Sequence, residues 1–270
     1  MMKERTLRVL EFTKIRDRLA SKAMTDMGRE RCEALVPSSN MTEIQRMQAE
    51  TEEATVILQY VGASPLVPFS DVRASLTLAE KGATLSPKAL LEVAALMQSA
   101  RAARKELDTE RDNTPILKEL AQRLSTLHNV EQDITNAIIS EDEIADRASN
   151  ELMDIRRHLR GANERIKEKL NQMIRSSAFQ KYLQDPIVTM RNDRYCLPVK
   201  AEYRGEIKGL VHDTSASGAT LFIEPLAVVD SNNELKALEK REEREIERIL
   251  AELSAECAAN GGVITADYYN

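Results

Sequence analysis

Between positions 191 and 208 the chain carries five cations, Arg191, Arg194, Lys200, Arg204 and Lys208, with Tyr195 and Tyr203 among them and Ser215 and Ser217 just beyond. Guanidinium and ammonium groups bind phosphates, tyrosine rings stack on bases or touch sugars, and serine hydroxyls donate to phosphate oxygens. Together these residue types could grip a nucleic acid. The surrounding segment, 185–229, also holds Asp185, Asp193, Glu202, Glu206, Asp213 and Glu224, so it is not net basic. Binding would have to come from one face, which the alternation of a strand can supply. A solvated β module without a ligand is the competing reading of the same residues. SASGAT, around Ser217 and Gly218, is open to two readings as well: an anion-binding turn built from backbone amides, or a hairpin turn whose glycine supplies a positive φ.

Other chemistries find less support. Neither G-x-x-x-x-G-K-[ST] nor G-x-G-x-x-G occurs, so no phosphate-gripping loop is expected. His128, His158 and His212 are far apart in sequence and none belongs to H-E-x-x-H; His212 precedes Asp213, but no nucleophile accompanies the pair. Glu141, Asp142, Glu143 and Asp146 could contribute to a two-metal nuclease only if they converged, and their setting, IISEDEIADRAS at 138–149, reads as a polar connector. Cys32, Cys196 and Cys257 are odd in number and form no C-x-x-C pair, which predicts reduced thiols and neither a zinc site nor a disulfide framework.

The elements that must position the cations can be read from periodicity. Residues 4–60 read as helices, with Leu7, Leu10, Ile15 and Leu19 on one stripe and Asn40 with Glu43 as a capping pair. VGASPLVPFS at 61–70 is a loop, a short helix follows near 71–80, and Gly82 ends it. Ser86-Pro87 and Thr114-Pro115 each mark a helix start, and residues 128–139 form one more amphipathic segment. From Leu152 the apolar positions run 152, 155, 159, 162, 166, 170 and 173, close to a coiled-coil seam. Residues 185–229 turn to β character, with PIVTM, RYCLPVKA, EIKGLVH and ATLFIEP as short strands. From about 230 the helical stripe returns at Leu235, Leu238, Ile246, Ile249 and Leu253. The simplest geometry is a long antiparallel helix pair with a β tip. Residues 151–183 hold eight Arg or Lys against four Asp or Glu, and residues 234–252 hold five against seven, so opposite charge favours the pairing, though each exposed ion pair contributes only about 0–1 kcal/mol.

Composition agrees. Aromatics are 4%, Trp is absent, and Gly and Pro number 9 and 8 in 270 residues, which favours long helices over a β sandwich. A net charge of −6 excludes a whole-chain basic footprint and leaves only a local one. No apolar run reaches the roughly 18 residues of a membrane span, and MMKERTLRVLEF has no signal-peptide stretch; no membrane association and a cytoplasmic location are expected.

Asp185 to Leu235, and above all SASGATLFIEP at 215–225, closely resemble the signature block of the second bacterial branch of the MutS family. LEFTKIRDRLA, AEKGATLSP at 79–87 and EREIERIL extend the resemblance over nearly the whole chain. It implies a mainly α fold: a helical core at 1–148, an outgoing lever helix at 149–184, a β clamp at 185–229, a returning lever helix at 230–260 and a tail at 261–270. It also implies a nucleic-acid-binding core and clamp, with branched DNA or ribosomal RNA as partner and with roles in suppressing recombination and in acting on collided ribosomes. The alternative is a mechanical arm that binds protein and touches no nucleic acid.

The chain departs from the family pattern after Cys257, where AANGGVITADYYN is expected to stop the returning helix at Gly261-Gly262. A shortened chain is therefore expected. No cofactor and no catalytic residue are expected here, because the ATP and Mg of relatives belong to an ATPase domain and their cleavage to a nuclease domain. Homodimerisation is expected of the longer protein and weak or no self-association of this chain.

Overall fold

The computed structural model describes residues 4–62, 66–108 and 113–270, so part of the loop expected at 61–70 lies outside the described residues. The fold is mainly α with a small antiparallel β insert. By its internal contacts the chain divides into two units. One comprises residues 1–145 and 248–270, the other residues 146–247.

The first unit is helical: α1 (Glu4–Val9), α2 (Phe12–Ala20), α3 (Asp26–Glu33), α4 (Met41–Val61), α5 (Arg73–Glu80), α6 (Pro87–Leu107), α7 (Pro115–Arg123) and α8 (His128–Ala137). Leu90, Val93, Leu96 and Met97 bury one side of α6 at the helical spacing read from sequence. Asn40 Oδ1 accepts from the Thr42 and Glu43 amides to cap α4, but the Glu43 carboxylate turns away from the expected reciprocal bond and accepts from the Ser38 hydroxyl. Ser86 Oγ caps α6 as expected. The start of α7 is held differently. Thr114 makes no side-chain cap, and the buried carboxylate of Glu53, from α4, accepts from the Ile116 and Leu117 amides at 3.2 and 2.8 Å. A carboxylate at a helix N-terminus meets both orphan amides and the positive end of the helix dipole. Leu10 falls in the turn between α1 and α2, where Glu11 takes φ 51°, so the expected stripe is broken there, and Leu10, Ile15 and Leu19 are exposed.

Residues 138–149 are not a bare connector. β1 (Ile138–Ser140) and β2 (Glu143–Ile144) form a two-stranded hairpin that puts Glu141 and Asp142 at its turn. Periodicity could not show it, because the strands are three and two residues long. The residues after Gly261 are also more than a tail: α12 (Gly261–Tyr269) follows one non-helical residue, Asn260, and buries Ile264 and Tyr268. A Cβ at Gly261 would lie 2.6 Å from the Glu80 carboxylate, the movable end of a side chain that packs closely on this glycine.

The second unit begins with a short 3-10 turn at Asp146–Ala148 and α9 (Asn150–Arg175), about 39 Å long at 1.5 Å per residue. Ser149 Oγ caps α9 through the Leu152 amide. A one-turn helix, α10 (Ser177–Gln180), ends the outgoing limb. The returning helix is α11 (Leu226–Ala259). Arg165 pairs with Glu234, Arg156 with Glu242, Ser149 with Glu245 and Arg241 with Glu151. Rising numbers on one helix meet falling numbers on the other, so the two run antiparallel, as the charge balance predicted. Leu152, Ile155, Ala162, Ile166 and Leu170 are buried along the seam.

Between them lies a four-stranded sheet in the order β3 (Thr189–Arg191), β4 (Arg194–Lys200), β6 (Thr220–Pro225), β5 (Gly209–Thr214), antiparallel throughout. Asn192 and Asp193, with φ of 49° and 56°, make the primed two-residue turn that joins β3 to β4. Tyr195, Leu197, Val199, Ile207 and Ile223 share one apolar core with Ile166, Leu170, Val228 and Leu235. The sheet is thus packed along the helix pair.

Candidate nucleic-acid interface

The five cations do not form one patch. β4 and β6 pair with Leu197 opposite Ile223 and Lys200 opposite Thr220. Lys200 therefore lies at one end of the sheet, beside the β5–β6 turn of Ser215 to Gly218. Arg194 lies at the other, roughly 20 Å away at 3.3 Å per residue. Lys208 is also at that other end: the next residue, Gly209, pairs with Pro225, and the Lys208 carbonyl accepts from the Leu226 amide.

Arg194 is mostly buried and occupied. Its Nη1 donates to Glu224 Oε1 at 2.9 Å and its Nη2 to Asn233 Oδ1 at 2.7 Å. The Glu224 carboxylate is fully buried, and it also accepts from Asn232 Nδ2 at 2.7 Å and lies 2.5 Å from His212 Nε2. Asn232 closes the network by exchanging bonds with the Tyr195 backbone. A buried carboxylate needs such partners, because an unpaired one would be costly. This cluster ties β4, β5 and β6 to the start of α11. His212 is thus spent on structure. Burial, reinforced by the Glu224 charge, pushes the neighbouring Cys196 thiol up to about 12, which leaves it unreactive.

Arg191 is half-exposed, with its guanidinium 4.0 Å from the Phe222 ring and its Nε 3.2 Å from Asp213 Oδ2. Arg204 and Lys208 are exposed and make no ion pair among the described residues. Tyr195 is buried and its hydroxyl donates to Asn163 Oδ1 at 2.7 Å, so it cannot stack on a base.

The Lys200 end gathers more. The Lys200 amide donates to the Tyr182 carbonyl and the Ala201 amide to the Ala219 carbonyl, both at 3.0 Å. These bonds draw the exit of the outgoing limb, the 3-10 turn at Ala201–Tyr203 and the serine turn together. Tyr182 and Tyr203 lie with ring centroids 5.2 Å apart at 55°, and Lys181 Nζ sits 4.7 Å from the Tyr182 ring. In the turn, Gly218 takes φ 74°, the conformation that requires glycine. Ser215 Oγ accepts from the Thr220 amide, Ser217 Oγ from the Ala219 amide, and the Gly218 amide donates to the Ser215 carbonyl. These amides are engaged within the turn, and the two serine hydroxyls lie 3.3 Å apart, so one donates to the other and one O–H is left to donate outward. Sequence reasoning missed Tyr182, which falls just outside the β stretch; the only signal was the Lys181-Tyr182 pair at the end of the helical pattern.

The acidic set does not converge. Glu141 lies 3.5 Å from Lys88, while Asp146 is held by Arg156 at 2.7 Å and Arg160 at 3.3 Å. Those guanidinium hydrogen bonds, Arg156 first, keep the Asp146 carboxyl below the ordinary carboxylate range. Among the described residues no three His, Cys, Asp or Glu side chains are grouped to hold a metal, and no helix is long and apolar enough to cross a membrane.

No family model matches the chain. Curated relatives do. A protein named Endonuclease MutS2 from Acetivibrio thermocellus is 48% identical over 260 residues, 94% of this chain and 32% of the relative. Those of Pelotomaculum thermopropionicum and Bacillus mycoides are 45% and 43% identical over 98% of the chain, each covering 34% of the relative. The chain spans about a third of the length of the curated relatives it matches, and over that third it is a sequence of the MutS-two branch of the MutS family.

Proposed function

We propose that the chain is the nucleic-acid-gripping core, lever and clamp of a MutS-two protein, and that the grip lies at the Lys200 end of the sheet. The observation that carries this reading is the convergence there of Lys200, Arg204, Lys181, the half-buried Tyr182 and Tyr203 and the Ser215 and Ser217 hydroxyls. Arg191 and Lys208 flank this grip from farther along the module, and Arg194 supports it by holding the sheet. The target is a polyanion, branched DNA or ribosomal RNA. The endonuclease activity in the relatives' name, and any use of ATP and Mg, are placed outside these 270 residues. Homodimerisation is assigned to the longer protein, and the setting to the cytoplasm.

The test is a salt titration of binding by this chain, with Lys200→Glu/Arg204→Glu as the variant. Each lost phosphate contact should reduce the slope of log affinity against log salt by about 0.9 on duplex DNA, so the double variant should lose roughly two units of slope. An unchanged slope rejects the placement of the grip. The alternative, a mechanical arm that binds protein, draws on the acidic residues Glu202 and Glu206 in the same loop. Recovery of a protein partner under conditions where no nucleic acid binds would favour it.

A further inference from the structure

The helical unit holds a cavity of about 430 Å³ among α3, α4, α6, α7 and α12. Ala54, Ala100, Ala103 and Ala121 line it, and their small side chains leave space that larger ones would fill. Phe69 and Tyr268, with ring centroids 6.0 Å apart at 69°, stand in its wall. The size falls within the roughly 300–1,000 Å³ of small-molecule sites, which are mostly apolar with a few placed polar groups.

One placed polar group here is Asp267, which borders the cavity and is 5% exposed. Its Oδ1 accepts from the Ser125 amide at 2.8 Å, and its Oδ2 is buried with no partner among the described residues. Burial acts most strongly on this carboxyl and raises it, while the Ser125 hydrogen bond and the Arg104 charge lower it. A buried carboxylate with one oxygen unmatched is costly, and native structures match nearly all such groups. A cationic N–H donor supplied from the cavity offsets that cost. The other charged side chain of the lining, Arg31, is exposed and directs its guanidinium to the Tyr269 carbonyl at 3.5 Å. We infer that the cavity binds a small apolar amine, with its hydrocarbon body among the alanines and its ammonium group against Asp267. The site belongs to the helical unit and uses none of the cations of the sheet.

The experiment titrates the intact chain with phenylethylamine, ethylbenzene and phenylacetate by isothermal calorimetry and follows the thermal midpoint in parallel. A hydrogen bond to a charged partner corresponds to about a 12- to 140-fold change in affinity. Phenylethylamine should therefore bind more tightly than ethylbenzene within that range, and phenylacetate, which shares the sign of Asp267, should bind most weakly. Asp267→Asn keeps an acceptor for the Ser125 amide and removes the charge, so it should bring the amine down to the level of ethylbenzene. Ala100→Leu fills part of the cavity and should weaken both ligands; if circular dichroism shows that it has lost its fold, Ala103→Leu takes its place. Lys200→Glu/Arg204→Glu should bind the amine like wild type. Equal affinity of wild type for amine and ethylbenzene, an amine preference that survives Asp267→Asn, or no saturable binding of the amine overturns the inference and leaves the proposed nucleic-acid grip untouched.

Discussion

Arg194→Ala separates support from contact. In the sequence Arg194 is one of five equivalent cations, while in the structure its guanidinium holds the fully buried carboxylate of Glu224 at 2.9 Å. Removing one partner of a buried pair costs about 3–5 kcal/mol, because the other charge stays buried without compensation. Asn232 and His212 still touch Glu224, so the lower end, about 3 kcal/mol, is the appropriate value. Opening of the β module should then become about 140-fold more frequent at 1.4 kcal/mol per factor of ten. Hydrogen exchange reads this directly: amides of β4 and β6 should exchange faster by that factor, while those of α6 should not change. Replacing both partners, Arg194→Met with Glu224→Leu, should recover much of the loss, since an apolar pair of similar volume needs no partner. A single variant that exchanges like wild type, yet binds nucleic acid weakly, would refute the structural role and return Arg194 to the interface.

Three further outcomes follow from the packing. Gly209→Ala should loosen the β5–β6 pairing by about 1–3 kcal/mol, as overpacking does, because the added Cβ would lie 2.2 Å from the Glu224 carbonyl oxygen; a thermal midpoint equal to that of the wild type would contradict it. Glu53→Ala should lower the stability of the helical unit by about 1–3 kcal/mol in urea titration, since two amides at the start of α7 lose their acceptor, and Glu53→Gln should cost less. Asp267 is buried, its Oδ2 has no partner among the described residues, and burial raises its pKa. A raised acid pKa means that its favourable contribution is present at low pH and is lost as pH climbs above the unfolded value near 3.8. Asp267→Asn should remove that fall and raise the thermal midpoint at neutral pH; a lower midpoint would show that the ionised carboxylate is needed.

Features set by local spacing were legible in the sequence. The α9 seam, the cap at Ser86 and the glycine at 218 depend on residues within a turn or two of each other, and the structure shows each of them. The charge excesses of the two long helices also pointed to their antiparallel pairing. Long-range bonds were not legible. Glu53 caps a helix more than sixty residues away, so Thr114-Pro115 gave the right start through Pro115 at the first helical position, while the cap comes from Glu53 and not from Thr114. Arg194 meets Glu224 across the sheet. Tyr182 reaches Tyr203 only because the Lys200 amide brings the outgoing limb alongside β4. The 138–149 hairpin and α12 were lost to polar and glycine signals that tertiary packing overrides.

The most direct test of the grip is a salt titration of the chain against linear duplex DNA, a four-way junction and purified ribosomes, with Lys200→Glu/Arg204→Glu in parallel. Binding that favours the junction or the ribosome over linear duplex, weakens steeply with salt and flattens in the variant is the predicted result. Identical salt slopes for variant and wild type, or no binding to any of the three at low salt, would contradict it.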